Sequence, residues 1–353
     1  MDWRDQVRKV VPYVPGEQPQ GTGFIKLNTN ENPYPPSPAV EKALAAVDAD
    51  RFRLYPDPEA GVLIGALSER FGLPKDRFFV GAGSDDVLGM AFLTFFNGSL
   101  PVLFPDVTYS FYDVWADLFR IPYEQVPLDE HYEIQAAGYD RPCGGIVIAN
   151  PNAPTGLAKS LSFIREMVEN HPDVVVIVDE AYVDFGGESA VGLIETYDNL
   201  LVVQTFSKSR AMAGMRIGYA IGNPELIAAM QAVKYSYNSY TMNLPAQIAG
   251  AASLKDEAYF KEQVDRVVAT RERAKAALAE LGFQVLDSKT NFLFCTHPEV
   301  DAETIFAALR TKKIIVRHFS GERVKAFLRI SIGTDEQMDT LFAALKEIIG
   351  DGR

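Results

Sequence analysis

Short apolar runs alternate with segments of helical spacing through the first two thirds of the chain. Gly145–Ala149, Val174–Val178 and Leu201–Thr205 are mostly apolar runs of strand length, and each is followed by a polar loop. Strands that are apolar on both faces are typical of a parallel sheet covered by helices on both sides. The pattern therefore predicts an α/β fold with a mostly parallel sheet.

The pattern changes after Gly222-Asn223-Pro224. A long charged segment predicts one helix over 257–281, and short strands are then predicted at 284–286, 291–294, 314–316 and 327–330, with helices between them. The N-terminal 40 residues are rich in Pro, Gly and Asn, which indicates an extended arm. We expect an arm over 1–40 that joins the small unit, a large cofactor-binding domain over 41–250 and a small C-terminal domain over 251–353.

Composition narrows the classes of function. Of 353 residues, 47% are apolar and 23% are charged, which excludes disorder as the main state. The net charge of −13 disfavours nucleic acid or an anionic membrane as a partner, although a few local arginines can still bind a small anion. The longest apolar runs are too short to span a membrane and the first residues are charged, so we expect a cytoplasmic protein. Two cysteines and four scattered histidines predict neither a disulfide framework nor a metal site.

Four consecutive predicted strand ends carry polar groups, and ligands of open α/β sheets bind beyond the carboxyl ends of the strands. The first group is the turn Gly81-Ala82-Gly83-Ser84-Asp85. Its small residues let backbone N–H groups at a helix N-terminus approach a phosphate. It is not a dinucleotide fingerprint, because Asp86 stands where the third glycine belongs. The ordinary alternative is a tight turn capped by Ser84 or Asp85.

The second and third groups are a carboxylate and an amine. Asp179 follows a buried strand, where a carboxylate can pair with a protonated pyridine nitrogen, and Tyr182 lies three residues further on. Lys208 leaves another buried strand through Phe206-Ser207, a position suited to a Schiff-base nucleophile. The alternatives are a helix N-cap for Asp179 and a surface lysine with a buried stem for Lys208.

The fourth group is Arg216, which stands between glycines in Ala213-Gly214-Met215-Arg216-Ile217-Gly218. Arginine pairs bidentately with phosphate, and the glycines permit close approach; the alternative is a structural ion pair. Each group alone is a modest signal. In order along the chain they give a phosphate cradle, a pyridinium partner, a Schiff-base lysine and a phosphate arginine, which together predict a site for pyridoxal phosphate.

The motifs around these residues resemble those of the fold-type I, pyridoxal-phosphate-dependent aminotransferases. They are Asn150-Pro151-Asn152-Ala153-Pro154-Thr155-Gly156, Asp179-Glu180-Ala181-Tyr182, and Ser207-Lys208 with Gly214-Met215-Arg216-Ile217-Gly218. Leu27–Tyr34, Tyr55-Pro56-Asp57 and Leu328–Thr334 are most similar to the histidinol-phosphate aminotransferase subgroup. The resemblance covers nearly the whole chain. It implies a large domain with a mostly parallel sheet of seven strands between helices, plus a smaller α/β domain.

The resemblance also implies roles for individual residues. Lys208 would bind the cofactor as a Schiff base and move the substrate proton, Asp179 would hold the pyridine nitrogen, and Tyr182 would hold the ring oxygen. The other cofactor contacts would be Tyr109 stacked on the ring, Asn152, a phosphate cup of Ala82, Gly83, Ser84, Asp85, Ser207 and Arg216, and Tyr55 from a neighbouring subunit. Arg329 would bind the carboxylate of an amino-acid substrate, and Arg317 and Tyr13 would bind a substrate phosphate. Asn30 would be a further substrate contact. One departure is Ala153, because the family usually has Asn directly before Pro-Thr-Gly; Asn152, or Tyr182 alone, would then serve the ring oxygen.

The implied reaction converts histidinol phosphate and 2-oxoglutarate to imidazole acetol phosphate and glutamate, a step of histidine biosynthesis. One alternative is an aromatic or broad-specificity amino-acid aminotransferase. Another is a lyase similar to threonine-phosphate decarboxylase, which breaks the Cα–carboxylate bond in place of the Cα–H bond. An inactive ligand-binding protein is disfavoured, because the lysine, the aspartate and both arginines are present. The expected partner is a second copy of the chain, in a homodimer with shared active sites.

Overall fold

The structure, a computed structural model, describes residues 2–351. In chain order its strands and helices are β1 Ile25–Lys26, α1 Pro38–Ala45, α2 Gly61–Phe71, β2 Phe78–Gly81, α3 Ser84–Phe95, β3 Val102–Pro105, α4 Tyr112–Phe119, β4 Tyr123–Val126, β5 Gly145–Ala149, α5 Leu161–Asn170, β6 Val176–Asp179, β7 Leu200–Thr205, β8 Gly218–Gly222, α6 Pro224–Tyr237, α7 Leu244–Leu254, α8 Glu257–Glu280, β9 Gln284–Val285, β10 Phe292–Thr296, α9 Ala302–Thr311, β11 Ile314–Ile315, β12 Arg317–His318, β13 Leu328–Ser331 and α10 Asp335–Asp351. No helix in this described part is long and apolar enough to cross a membrane.

Several helices begin directly after a capping side chain. Ser160 accepts a hydrogen bond from the Phe163 amide at the start of α5, and Asn243 accepts one from the Ala246 amide at the start of α7. Such caps satisfy N–H groups that have no partner inside the helix. Helix α3, by contrast, begins after Gly83 without a side-chain cap.

Seven strands form the large sheet in the order β2-β8-β7-β6-β5-β3-β4. All neighbours in it pair in parallel except β8, which is antiparallel to both β2 and β7. Strands β5, β6 and β7 are buried along their whole length, as expected of strands covered by helices on both faces. The prediction of a mostly parallel sheet of seven strands is confirmed.

The reversed strand β8 corrects one detail of the sequence interpretation. Arg216 was expected after a strand, but it lies two residues before β8. The chain turns back after β7, and the Phe206 amide donates to the Ile217 carbonyl at 3.0 Å across this turn. Because β8 is antiparallel, its beginning meets the same sheet edge at which β6 and β7 end. Arg216 thus reaches the predicted edge from the opposite chain direction.

The C-terminal part has its own sheet and its own core. Strands β12, β13, β10 and β9 form an antiparallel sheet, and β1 of the N-terminal arm pairs in parallel with β11. Leu27 of the arm is buried in the same apolar cluster as Phe292 and Leu341. The arm is thus attached to the C-terminal unit, whereas the domain boundaries at residues 40 and 250 stay a prediction.

Arg317 also lies differently from the sequence interpretation, which put it at the end of one strand over 314–316. The chain changes sheets at Val316, because β11 pairs with β1 whereas Arg317 begins β12 and pairs with β13. In this register Arg317 lies directly opposite Arg329. Two cations are therefore brought together on neighbouring strands.

Candidate active site

A pocket lies at the edge of the large sheet where β5, β6 and β7 end and α3 and β8 begin. It is lined by Ser84, Asp85, Tyr109, Ala149, Pro151, Ala153, Asp179, Ala181, Tyr182, Ser207, Lys208, Ala213 and Arg216. Most of the residues predicted to hold the cofactor are among them. The parallel sheet places them together because strand ends that are distant in sequence meet at one edge.

Asp179 is the last residue of β6, and it is buried while lining the pocket. Its Oδ2 accepts a hydrogen bond from the Tyr112 hydroxyl at 2.8 Å, and its Oδ1 accepts one from the Ala181 amide at 3.2 Å. Burial raises the pKa of Asp179 to about 6, although both hydrogen bonds act to lower it. The carboxyl group is therefore ionised at neutral pH, and it can accept a hydrogen bond from the N–H of a protonated pyridine nitrogen.

Lys208 lies in the loop after β7 with its amine in the pocket. Its Nζ donates to the Thr29 carbonyl at 3.3 Å and lies 5.6 Å from the centre of the Tyr182 ring. Within residues 2–351 the amine forms no ion pair. The side-chain Nδ2 of Asn32 donates to the backbone carbonyls of both Lys208 and Ser209 at 3.2 Å, which fixes the backbone of the lysine. The amine is thus held in place but is not neutralised by a carboxylate.

Tyr182 is positioned by Asn30 of the N-terminal arm. Asn30 donates through Nδ2 to the Tyr182 hydroxyl oxygen at 2.9 Å, and its own Oδ1 accepts from the Ser331 hydroxyl at 3.0 Å. The backbone of Asn30 is left-handed, with φ of 57°, a conformation that asparagine tolerates. Because Asn30 donates to Tyr182, the Tyr182 proton is free to donate into the pocket. Asn30, predicted to contact substrate, here contacts Tyr182.

The candidate phosphate cup is the start of α3. Helix α3 begins at Ser84, and the N–H groups of a first helical turn have no partner inside the helix. Gly83 has φ of 92°, and a Cβ there would lie 2.6 Å from Nη2 of Arg216, so only glycine fits beneath that guanidinium. The Ala82 amide already donates to the Asp86 carboxylate, and the Gly83 amide donates to the Gly81 carbonyl, both at 2.8 Å. The free backbone donors of the cup therefore start at Ser84, the first residue of α3.

Asp85 links the cup to the predicted stacking residue. Its carboxylate pairs with Nη2 of Arg216 at 3.0 Å and accepts from the Tyr109 hydroxyl at 2.7 Å. Burial, followed by the charge of Asp85, raises the pKa of Tyr109, so its phenol stays protonated. Tyr109 and Arg216 are thereby held on opposite sides of one carboxylate.

Four predicted cofactor residues, Ala82, Gly83, Asn152 and Tyr55, are not among those that line the pocket. Asn152 is buried, but its Nδ2 donates to the Val107 carbonyl at 2.9 Å and its Oδ1 accepts from Thr108 at 2.8 Å, so its side-chain amide binds the loop after β3. Tyr55 is 82% exposed and stacks on Tyr240, with 4.6 Å between ring centres. The cofactor roles of these four residues stay predictions.

A second cavity adjoins the first and shares Tyr109 and Ala153 with it. Tyr13, Arg317 and Arg329 line this cavity, as predicted for substrate contacts. The remaining lining residues include Asp113, Asp117, His318, Phe319 and Ser320. Three predicted substrate residues, Tyr13, Arg317 and Arg329, thus line a cavity that adjoins the pocket of most predicted cofactor residues.

The two arginines have few partners. Nη2 of Arg329 donates to the Asn28 carbonyl at 3.0 Å, whereas its Nε is buried and has no partner among the described residues. Burial lowers the pKa of Arg329, and the nearby Arg317 adds to this effect. Arg317 donates to the Val14 carbonyl at 3.4 Å. The two arginines therefore keep hydrogen-bond donors that could bind an anion.

Comparison with known proteins identifies the family. Residues 22–345 match the sequence model for aminotransferases of class I and II. The chain belongs to this family. It is a pyridoxal-phosphate-dependent aminotransferase, which confirms the predictions of fold, cofactor and enzyme class.

Individual relatives narrow the group. A histidinol-phosphate aminotransferase of Lactococcus lactis subsp. cremoris is 51% identical over 349 residues, which cover 99% of this chain and 98% of the relative. One of Acetobacter pasteurianus is 52% identical over 347 residues, 98% of each chain. A solved histidinol-phosphate aminotransferase from Sinorhizobium meliloti, in complex with pyridoxal-5'-phosphate, has a TM-score of 0.82 at 26% identity and covers 93% of this chain and 91% of that one. The resemblance seen in the motifs is confirmed.

The aminotransferase pocket fits this cofactor on its own geometry. The start of α3 and Arg216 offer donors for a phosphate, and Asp179 offers a buried acceptor for the pyridine nitrogen. Lys208 offers an amine that forms no ion pair with any residue of the described part of the chain. Tyr112 and Asn32 also belong to the site but were not predicted. Their sequence signal is an aromatic and an amide in ordinary contexts, and only the fold brings them to Asp179 and Lys208.

Proposed function

We propose that this aminotransferase transfers the amino group of histidinol phosphate to 2-oxoglutarate, giving imidazole acetol phosphate and glutamate in histidine biosynthesis. The observation that carries the proposal is the pair Arg317 and Arg329, which lie opposite each other on β12 and β13 and both line the substrate cavity. Like charges directly opposite on antiparallel strands are destabilising, so a bound anion is expected to compensate them. The relatives at about half identity, which are histidinol-phosphate aminotransferases, support the same substrate.

The cofactor side of the site divides its work among few residues. When bound, pyridoxal phosphate supplies a carbonyl carbon that condenses with amines and a ring that withdraws electrons from the substrate Cα. Lys208 would supply the Nζ amine that accepts the proton from the substrate Cα and delivers it to the carbonyl-derived carbon of the cofactor. The Asp179 carboxylate would accept a hydrogen bond from the protonated pyridine nitrogen, and the Tyr182 hydroxyl would donate to the ring oxygen. Among the remaining assigned contacts, Ser84, Ser207 and Arg216 would hold the phosphate and Tyr109 would stack on the ring.

The residues assigned to the substrate cavity are suited to binding anions. The Nε of Arg329 is buried and has no hydrogen-bond partner among residues 2–351, so Nε and Nη suit the planar, bidentate recognition of the α-carboxylate of glutamate. Arg317 and Tyr13 line the same cavity and suit the phosphate of histidinol phosphate. Asn30 supports the site by holding Tyr182. The enzyme would thus accept two substrates that differ in the position and kind of their negative charge.

The proposed working unit is a homodimer with shared active sites. Tyr55 is 82% exposed and does not line the pocket of its own chain. It lies among other exposed apolar side chains, which include Phe52, Leu54 and Tyr240. Exposed apolar groups of this kind mark interaction surfaces. In the homodimer Tyr55 would donate to the cofactor phosphate held by the partner subunit.

The test of the proposed reaction uses the purified enzyme with pyridoxal phosphate. Histidinol phosphate and 2-oxoglutarate should give glutamate and imidazole acetol phosphate in equal amounts, and histidinol without its phosphate should be a far poorer donor. Phenylalanine tests the broad-specificity alternative, and carbon dioxide release from threonine phosphate tests the lyase alternative. A larger kcat/KM for phenylalanine than for histidinol phosphate, or release of carbon dioxide, would overturn the proposal.

A further inference from the structure

Tyr112 is a buried tyrosine that lies behind the cofactor pocket. It is the first residue of α4, its side chain is 0% exposed, and it is not among the residues that line the pocket. Its ring packs against Phe92, Phe104 and Trp115. The hydroxyl is therefore fixed by the packing of the ring, and it donates to Oδ2 of Asp179 at 2.8 Å.

The direction of this hydrogen bond is decided by burial. Burial raises the pKa of Tyr112 well above its ordinary value, and the charge of Asp179 adds to this, so the phenol keeps its proton. Tyr112 is thus a permanent donor and Asp179 the acceptor. A donor of this kind stabilises the ionised carboxylate more than the neutral acid.

Some of the groups that face Asp179 raise the pKa of its carboxyl group, and others lower it. Burial and the charge of Asp85 favour its neutral form, whereas Tyr112, the Ala181 amide and Lys208 favour the ionised form. The Tyr112 bond goes to Oδ2 and the Ala181 bond to Oδ1, so the carboxylate is held by one donor on each oxygen. Held in this way, the group has a fixed plane and keeps further lone pairs for a third donor.

We propose that Tyr112 is a positioning residue that keeps Asp179 ionised and orients its carboxylate toward the pyridine nitrogen of the cofactor. The inference rests on the proposed role of Asp179 as the partner of that nitrogen. Without the Tyr112 hydroxyl, Asp179 takes up a proton more readily, and a protonated carboxyl group offers the nitrogen a donor where an acceptor is needed. Tyr112 acts only through Asp179, because it does not line the pocket.

The first test uses the cofactor-free protein, so that it is independent of the substrate. The ionisation of Asp179 is followed by carboxyl ¹³C NMR, with the signal assigned by its loss in Asp179→Asn. In Tyr112→Phe the midpoint should move up by about one to two pH units, the equivalent of one charged hydrogen bond. Tyr123→Phe is the matched control, since Tyr123 stacks on the same Phe104 but forms no hydrogen bond with Asp179. In this control the midpoint should stay where it is in the unaltered protein.

Replacement of Tyr112 by 3-fluorotyrosine keeps the inference testable if Tyr112→Phe does not fold. The fluorinated phenol has nearly the same size and is a stronger donor, so the midpoint should move down. In the loaded enzyme, Tyr112→Phe should lose activity mainly on the acid side of the pH profile and approach the unaltered enzyme near pH 9. A purely structural defect would lower the rate equally at every pH.

An unchanged midpoint in folded Tyr112→Phe or in the fluorinated protein overturns the inference. The cofactor-free titration gives the same answer whichever amine is the substrate, so a failure of the histidinol phosphate assignment is recognised separately by the product analysis. Full activity of Asp179→Asn in the loaded enzyme would remove the premise that Asp179 serves the cofactor, and would overturn the inference with it.

Discussion

On the wall formed by the large sheet, Asp179 is paired with Tyr112 and Ala181, and Arg216 is paired with Asp85. We call this the cofactor wall. On the facing wall, formed by β12 and β13, Arg317 lies opposite Arg329, and Nε of Arg329 is buried without a partner among the described residues. We call Arg317 and Arg329 the arginine wall.

We infer that the difference reflects what each wall would bind under the proposed function. A cofactor that stays bound can be held by groups that the protein itself has already oriented, which lowers the cost of reorganisation during the reaction. The proposed substrates bind and leave in each cycle, and free donors on the arginine wall would serve them, at the expense of repulsion between the two cations in the ligand-free protein. The comparison predicts that mutations on the two walls have effects of different kinds.

The largest expected effect is on the cofactor wall. Lys208→Ala removes both the amine that binds the cofactor and the group that moves the proton, so turnover should fall by about a thousandfold or more. Borohydride should fix the cofactor onto Lys208 in the unaltered enzyme and give no such label in the variant, as measured by peptide mass. Lys325→Ala, at an exposed lysine, should behave like the unaltered enzyme. A label on another lysine would contradict the assignment.

On the arginine wall the loss should depend on the substrate. Arg317→Ala should lower kcat/KM for histidinol phosphate by about 100-fold, and Arg329→Ala should do the same for glutamate, at about 1.5–3 kcal/mol per charged hydrogen bond. The other substrate should be less affected in each case. Single-turnover half-reactions with each substrate measure the four values.

Arg273→Ala is the control for this pair, because Arg273 binds Asp335 and does not line the substrate cavity. It should leave both half-reactions unchanged. Equal losses for both substrates in both arginine variants would mean that the two residues do not divide carboxylate and phosphate between them.

A third contribution to the site is expected from the partner subunit. Tyr55→Phe should lower activity by about 10-fold through the loss of one charged hydrogen bond. Mixed with Lys208→Ala chains, it should form hybrid dimers in which one site regains both native groups, so that up to about a quarter of the unaltered activity returns. Chains that carry both substitutions, mixed with Tyr55→Phe, should give no recovery. A fully active monomer in sedimentation would rule out shared sites.

The smallest expected effect concerns the stability of the cofactor-free protein. The pKa of Asp179 is about 6 in the folded protein against an ordinary value of 3.8, so the folded state binds the proton more tightly. The ionised group therefore costs stability, and this cost sets in as the pH rises from about 4 to 6 and persists above. Asp179→Asn should be more stable by about 2–3 kcal/mol at pH 8 and should have little advantage near pH 4. Thermal unfolding at both pH values measures this.

Asp179→Asn should also impair catalysis, so that the same substitution raises stability and lowers activity. At pH 8 the loaded Asp179→Asn enzyme should retain the cofactor through the phosphate cup but turn over more slowly. A variant that is less stable than the unaltered protein at pH 8 would show that the buried charge does not destabilise the cofactor-free state.

Much of this molecule could be predicted from local pattern. The alternation of apolar strands with helices gave the sheet, and Asp179, Lys208 and Tyr182 were predicted because each follows a strand in a recognisable motif. The three residues lie together in the structure because strand ends of a parallel sheet share one edge, whereas their roles stay predictions. Arg216 was predicted at the correct edge of the sheet, but it was expected after a strand and in fact precedes β8. The glycines on either side of Arg216 do not indicate whether the next strand is parallel or antiparallel.

The sequence by itself determined the order of the motifs, the kinds of chemical group at the strand ends and the cofactor that they suit. Only the tertiary structure decided which of these groups are paired. Tyr112 and Asp179 are 67 residues apart, and Arg317 meets Arg329 only because the chain changes sheets at Val316. Contacts between distant residues depend on strand order and register, which are properties of the folded sheet and are absent from any local run of residues.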